Sequence, residues 1–157
     1  PGRRTETFAS TRMEPSSIHV RPGRHDDASE LARLCTELGY PSTAAQVRER
    51  LVRLSDVEHG LFVAEDGGGL RGVVDVHVRV VLEEDPFAEL IALVVSEDGR
   101  GEGVGSALVA EAVRWARRRR VRKLWVRVSL WREATPRFYE RLGFRRVKQQ
   151  NVYELAL

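Results

Sequence analysis

The chain has 157 residues, 42% hydrophobic and 31% charged, with 26 Lys+Arg against 23 Asp+Glu for a formal net charge of +3. That length fits one domain able to bury roughly 70% of its unfolded surface, and the composition excludes collagen-like, low-complexity and wholly disordered chains. No apolar run approaches the ~18 residues a membrane span needs, so no membrane partner is expected. A single cysteine, Cys35, excludes an intrachain disulfide and a cysteine metal cluster, and fits a reducing, cytoplasmic compartment. His19, His25, His59 and His77 show no metal-ligand spacing, and no metal is expected. All basic residues except Lys123 and Lys148 are Arg, whose fork suits phosphate, although composition bias is the plainer reading of the surface Arg as a group.

Residues 1–17 carry Pro, Ser, Thr and Arg without apolar periodicity, which predicts a disordered tail. Met13 is a candidate natural start, in which case the residues before it are a leader or a cloning remnant. Residues 18–157 are expected to form one domain. Ile18 to Arg21 alternates as a strand does, and Pro22-Gly23 ends it. Asp26 or Asp27 is placed to cap a helix with Ala28, Leu31, Ala32, Leu34, Cys35 and Leu38 inward, stopped by Gly39. Pro41-Ser42-Thr43 starts a second helix with Val47, Leu51 and Leu54 inward.

Leu61 to Glu65 is a strand, and Asp66-Gly67-Gly68-Gly69 a hairpin turn. Leu70 to Leu82 is a long strand with Val74, Val76, Val78 and Val80 on one face; Phe87 to Val95 follows it. A helix from Val104 carries the row Val104, Leu108, Ala112 and Ala116 and closes on Arg117 to Arg120, where cations complement the helix dipole. Lys123 to Val128 is a strand. Thr135-Pro136 reads as cap and first residue of a last helix ending at Gly143. Phe144 to Lys148 and Val152 to Leu157 are expected to be closing strands. The order β-α-α-β-β-β-α-β-α-β-β predicts a single α/β (α+β) domain with a mixed sheet.

Between the strand ending at Val95 and the helix at Val104 runs Arg100-Gly101-Glu102-Gly103-Val104-Gly105-Ser106. Glycines at such a corner let backbone N–H groups approach an anion, and the helix dipole adds positive potential. A P-loop is excluded because no Gly-Lys-Ser/Thr follows, and a dinucleotide fingerprint counted from Gly101 meets Ser106 where Gly or Ala is required.

Arg100-x-x-Gly103-x-Gly105, preceded by Leu93-Val94-Val95, resembles the acetyl-CoA signature of the GNAT N-acetyltransferase superfamily, Gln/Arg-x-x-Gly-x-Gly/Ala. Phe138-Tyr139-Glu140-Arg141-Leu142-Gly143-Phe144 resembles a second mark of that family. The resemblance covers roughly residues 18–157 and implies a GNAT-like fold and acetyl-CoA as co-substrate. It implies that the CoA pyrophosphate sits on the backbone of Gly101, Glu102, Gly103, Val104, Gly105 and Ser106, with Arg100 adding charge. Pantetheine would pair with the backbone of Leu93, Val94 and Val95, the Val94 N–H serving as oxyanion donor, and Tyr139 would protonate the departing thiolate. Many relatives carry Asn seven residues before the Tyr; here that residue is Arg132, which cannot accept a hydrogen bond, so that contact is altered or lost.

Acetyl transfer needs a neutral amine. An amine with pKa near 10.4 is neutral about once in 10³·⁴ molecules at pH 7, a cost of roughly 4.6 kcal/mol, and a base can remove the proton as attack begins. Glu89, an acid in the alternation Glu89, Ile91, Leu93, is the first candidate, with an ion pair to one of the Arg as its structural alternative; Asp75 is the reserve. Glu83, Glu84 and Asp85 read as a solvated turn, and Trp115, Trp125 and Trp131 as core or interface residues.

The expected activity is therefore N-acetylation of a primary amine, on a small molecule or a protein, by direct attack in a ternary complex, with Glu89 as base and Tyr139 as acid. The alternative is a regulatory module that binds acyl-CoA without turnover; Tyr139 argues against it and Arg132 mildly for it. A nucleic-acid partner for the Arg run is the weaker third reading, and edge strands leave a homodimer open.

Overall fold

A computed structural model describes residues 17–54, 56–129 and 134–157. They form two compact units, one ending at Trp125 and one beginning at Val126. The first contains strand β1 (His19–Pro22), helices α1 (Ala28–Leu38) and α2 (Ala44–Arg53), strands β2 (His59–Asp66), β3 (Gly69–Arg79) and β4 (Phe87–Val95), and helix α3 (Val104–Arg118). Strand β5 (Leu124–Val126) follows, and helix α4 (Ala134–Arg141) lies in the second unit. The strands make one mixed sheet in the order β1-β2-β3-β4-β5. No helix among the described residues is long and apolar enough to cross a membrane.

Local chemistry sets most of the boundaries. Gly39 ends α1 in the left-handed region at φ 102°, which favours glycine, and its N–H returns to the Cys35 and Thr36 carbonyls. Thr43 and Gln46 cap α2 reciprocally. The expected cap of α1 differs: the Asp27 carboxylate accepts from the Arg24 N–H at 2.7 Å and from both ends of the Arg21 fork at 2.8 Å, and caps no α1 N–H. Arg21, then burial working against it, leaves the Asp27 carboxyl below its ordinary range.

The antiparallel β2–β3–β4 registers divide the side chains between two faces. Phe62, Ala64, Val74, Val76, Val78, Ala88 and Leu90 share one face, all buried, and α3 packs against these strands with Val104, Leu108, Ala112 and Trp115. Gly72 permits the close approach, since a Cβ there would meet the Val94 carbonyl oxygen at 2.7 Å and Leu108 Cδ1 at 3.0 Å. On the other face α1 and α2 cover Val63, Leu70, Val73 and Val94.

Three expectations about strands change. β3 stops at Arg79, whose partner Phe87 is the first residue of β4; Val80 and Leu82 have no strand to pair with and are exposed. Ile91 is an extra residue in β4, because Asp75 pairs with Ala92 and the next residue, Val76, with Leu90. This bulge interrupts the alternation Glu89, Ile91, Leu93: Ile91 is 50% exposed, and Ala92 takes the Glu89 face. The closing strands expected at 144–148 and 152–157 are not formed. Alternation makes a strand only where a ladder partner and a buried face exist, and Val147, Val152, Tyr153, Leu155 and Leu157 are exposed.

Candidate functional site

The Gly-rich turn follows β4 through a short 3-10 turn, Glu97–Gly99. Gly101 (φ 78°) and Gly103 (φ 81°) adopt left-handed backbone, and a Cβ at either would enter open space, so the conformation rather than crowding calls for glycine. Gly103 is the N-cap of α3 and no side chain caps that helix. Its first intrahelical bond runs from the Ala107 N–H to the Gly103 carbonyl at 3.0 Å, leaving the N–H groups of Val104, Gly105 and Ser106 at the positive end of a fifteen-residue helix. Its first turn holds no acidic residue. Arg100, Gly101, Glu102, Gly103 and Ser106 are exposed, while Val104 is buried against the sheet. This arrangement can receive an anion on backbone donors.

β4 leads directly into the turn. Its inner edge pairs with β3, and β5 joins it through the Ala88 N–H to Lys123 carbonyl bond at 2.9 Å. Three residues of β5 span about 10 Å; anchored near Ala88, they stop short of Leu93–Val95. The Ser96 N–H bonds to the Arg71 carbonyl at 2.8 Å, so by alternation the Val94 N–H also points to β3. The free donors on the outer edge are those of Leu93 and Val95. The oxyanion donor expected at Val94 is therefore turned inward.

The candidate base sits on this strand before the bulge. Glu89 is 3% exposed, and Arg79 Nε lies 3.7 Å from its Oε2. The carboxylate thus lies beside a guanidinium on the neighbouring strand. Asp75, the reserve, is held by another group: its Oδ1 accepts from His59 Nε2. His59 and His77 escaped the sequence reading because they match no motif. The register places His59 opposite His77 and His77 opposite Glu89, one row across three strands. The signal available was the period-2 sequence Asp75, His77, Arg79 on a strand whose other face is all Val.

The remaining candidates are placed as follows. Glu84 contacts Lys123, as a surface ion pair does. Arg119 stacks over the Trp115 ring at 3.9 Å and donates to the Val57 carbonyl, and Trp125 packs on Phe87 at 4.6 Å. Arg132 and Trp131 lie outside the described residues. In the second unit the adjacent rings of Phe138 and Tyr139 are buried to different extents. Tyr139 is buried, with edge contacts to Phe138 at 5.0 Å and Phe144 at 5.3 Å, and Phe138 is half-buried. Burial pushes the Tyr139 phenol up to about 12, so it stays a neutral O–H donor. Gly143, at φ 90°, ends α4 as expected.

The profile of the Acetyltransferase (GNAT) family matches residues 25–144. An uncharacterized N-acetyltransferase of Methanocaldococcus jannaschii is 36% identical over 91 residues, 55% of this chain and 39% of that protein. One from Archaeoglobus fulgidus is 31% identical over 141 residues, 82% of this chain and 94% of that protein. Among solved structures, an aminoglycoside N-acetyltransferase in complex with CoA superposes with a TM-score of 0.80 at 18% identity, covering 90% of this chain and 97% of that one. With that profile spanning most of its length, the chain belongs to the GNAT acetyltransferase family.

Proposed function

We propose that the protein transfers the acetyl group of acetyl-CoA to an amine acceptor, with no metal. The observation that carries this reading is the sequence of features along one strand: a buried carboxylate at Glu89, a backbone edge at Leu93–Val95 beyond the reach of β5, and a helix N-terminus at Val104–Ser106 that no side chain caps. Pyrophosphate charge suits the backbone donors of Gly101 to Ser106, with Arg100 beside them. Pantetheine suits the open edge as an added strand. The Leu93 N–H, which points outward, is the oxyanion donor in this reading. Glu89 takes the amine proton as the C–N bond forms, and Asp75 holds His59 instead of serving as base.

Tyr139 is assigned to the leaving thiolate by the family motif. With its phenol near 12 and a thiol near 8.5, complete proton transfer is uphill by about 5 kcal/mol. The phenol therefore acts through a hydrogen bond to the developing thiolate. Tyr139→Phe should lower kcat about tenfold and leave the fold intact; an unchanged kcat with a raised acetyl-CoA KM would reassign it to cofactor positioning.

The deciding experiment is release of free CoA from acetyl-CoA over a panel of primary amines: an aminoglycoside, a polyamine, a free N-terminal peptide and a lysine peptide. Saturable, amine-dependent release supports the reading. Tight acetyl-CoA binding with no release for any amine replaces it with a binding module.

A further inference from the structure

A buried base must lose its proton before the next turnover. Glu89, at 3% exposure, is almost wholly shielded from bulk water. In the sheet register its opposite neighbour is His77, and that of His77 is His59. Opposed residues in an antiparallel pair have Cβ atoms about 4.5–5.5 Å apart, and the two imidazole centroids are 5.4 Å apart. Each step lies within reach directly or through one water. His59 Nε2 donates to Asp75 Oδ1, which orients that ring. Glu89 has a side chain 3% exposed, against 10% at His59 and 17% at Asp75, and His77 is half-buried. The whole row lies on the sheet face whose other end, at Val63, Val73 and Val94 with Leu61 beside them, packs against α1 and α2. Apolar residues are the default filling of central strands; a continuous titratable row across three of them calls for a task.

We propose that His77 relays the acceptor's proton from Glu89 to the His59–Asp75 pair. This rests on the acetyl-transfer reading above. When the amine nitrogen bonds to the thioester carbon, one N–H proton moves to a Glu89 oxygen. The C–S bond then breaks, and the thiolate leaves and takes its proton from solvent. Glu89 returns its proton to the unprotonated ring nitrogen of His77, and the opposite ring N–H passes on to His59. The His59 cation is held by the Asp75 carboxylate until it gives one proton to water. One proton leaves the amine and one reaches solvent; His77 is left as its other tautomer and is reset by exchanging its ring proton through water before the next turnover.

The test uses the full chain and whichever amine of the panel it acetylates fastest. His77→Gln keeps polarity and size but cannot accept and pass a proton. It should lower kcat about tenfold with the acetyl-CoA KM within twofold. His77→Ala should fall as far and regain at least a third of its kcat with added imidazole, a rescue that a packing role does not predict. Glu89→Gln should fall about 10²-fold, and the Glu89→Gln/His77→Gln double variant should be no slower than Glu89→Gln alone, since a relay is idle without its source.

His77→Gln at wild-type kcat beside a crippled Glu89→Gln overturns the relay and leaves acetyl transfer standing. Imidazole without effect on His77→Ala, or additive losses in the double variant, overturns it equally. Wild-type turnover by Glu89→Gln removes the base and the relay together. No CoA release with any amine overturns the function itself.

Discussion

The two faces of the β2–β3–β4 sheet are built from the same strands and serve opposite ends. Under α3, every inward side chain from Phe62 to Leu90 is apolar and buried. On the reverse face α1 and α2 cover Val63, Val73 and Val94, and where that cluster stops, His59, Asp75, His77 and Glu89 begin. A sheet buried on both faces would read as an unbroken apolar run. Here the Val74–Val76–Val78 stripe anchors the strand on one side, so its other side can carry charge at modest cost to stability. The titratable row sits beside the helix-covered cluster.

That division can be tested from both sides. The largest effect belongs to the α3 face. Leu108 is fully buried, and Leu108→Ala should destabilise by about 2–5 kcal/mol in urea unfolding; a loss under 1 kcal/mol would mean the face is not a packed core. Glu89→Gln probes the other face and should do the reverse. It should cost little stability but about 10²-fold in kcat/KM for the acceptor, with acetyl-CoA affinity unchanged by calorimetry. A large fall in melting temperature with normal turnover would make Glu89 structural.

Asp27 tests a charge buried for architecture alone. Asp27→Asn should cost about 1–3 kcal/mol, the scale of hydrogen bonds to charged groups, with no change in KM for either substrate. Its carboxyl is lowered by Arg21 in the fold and is ordinary, near 3.9, when unfolded. The stabilisation is therefore complete above about pH 5 and lost as pH falls through the folded value. Unfolding at pH 7 and pH 3 should show the wild type losing more stability than Asp27→Asn; parallel losses would remove the ion pair from the account. The smallest effect is in the turn. Gly103→Asp puts a carboxylate against the anion site on left-handed backbone that Asp tolerates better than most residues. Acetyl-CoA affinity should fall at least tenfold, about 1.4 kcal/mol, with the melting temperature nearly unchanged.

Some of this was legible in the residues alone. Gly39, Thr43 and Gly143 mark helix ends by local chemistry, and the Val104–Leu108–Ala112–Ala116 row is a helix face by period. The Arg100–Ser106 turn carried its anion chemistry and its family in seven residues. β4 was bounded at Phe87 and Val95, because Pro86 and Ser96 frame it. These features depend on neighbours within one or two turns of chain, and the sequence specifies such neighbours directly.

Only the tertiary structure decided the rest, because each item depends on which strand or helix lies opposite. The bulge at Ile91 exists only in the β3–β4 register, and it separates the face of Glu89 from the alternation that had suggested it. The row His59, His77 and Glu89 joins residues far apart in the chain. The Val94 N–H is turned inward by the ladder that Ser96 and Arg71 share. Tyr139 rather than Phe138 is buried, since its contacts include Phe144 beyond the helix end. A period of 2 or 3.6 tells which residues share a face of their own element, while register, bulges and packing choose what that face meets.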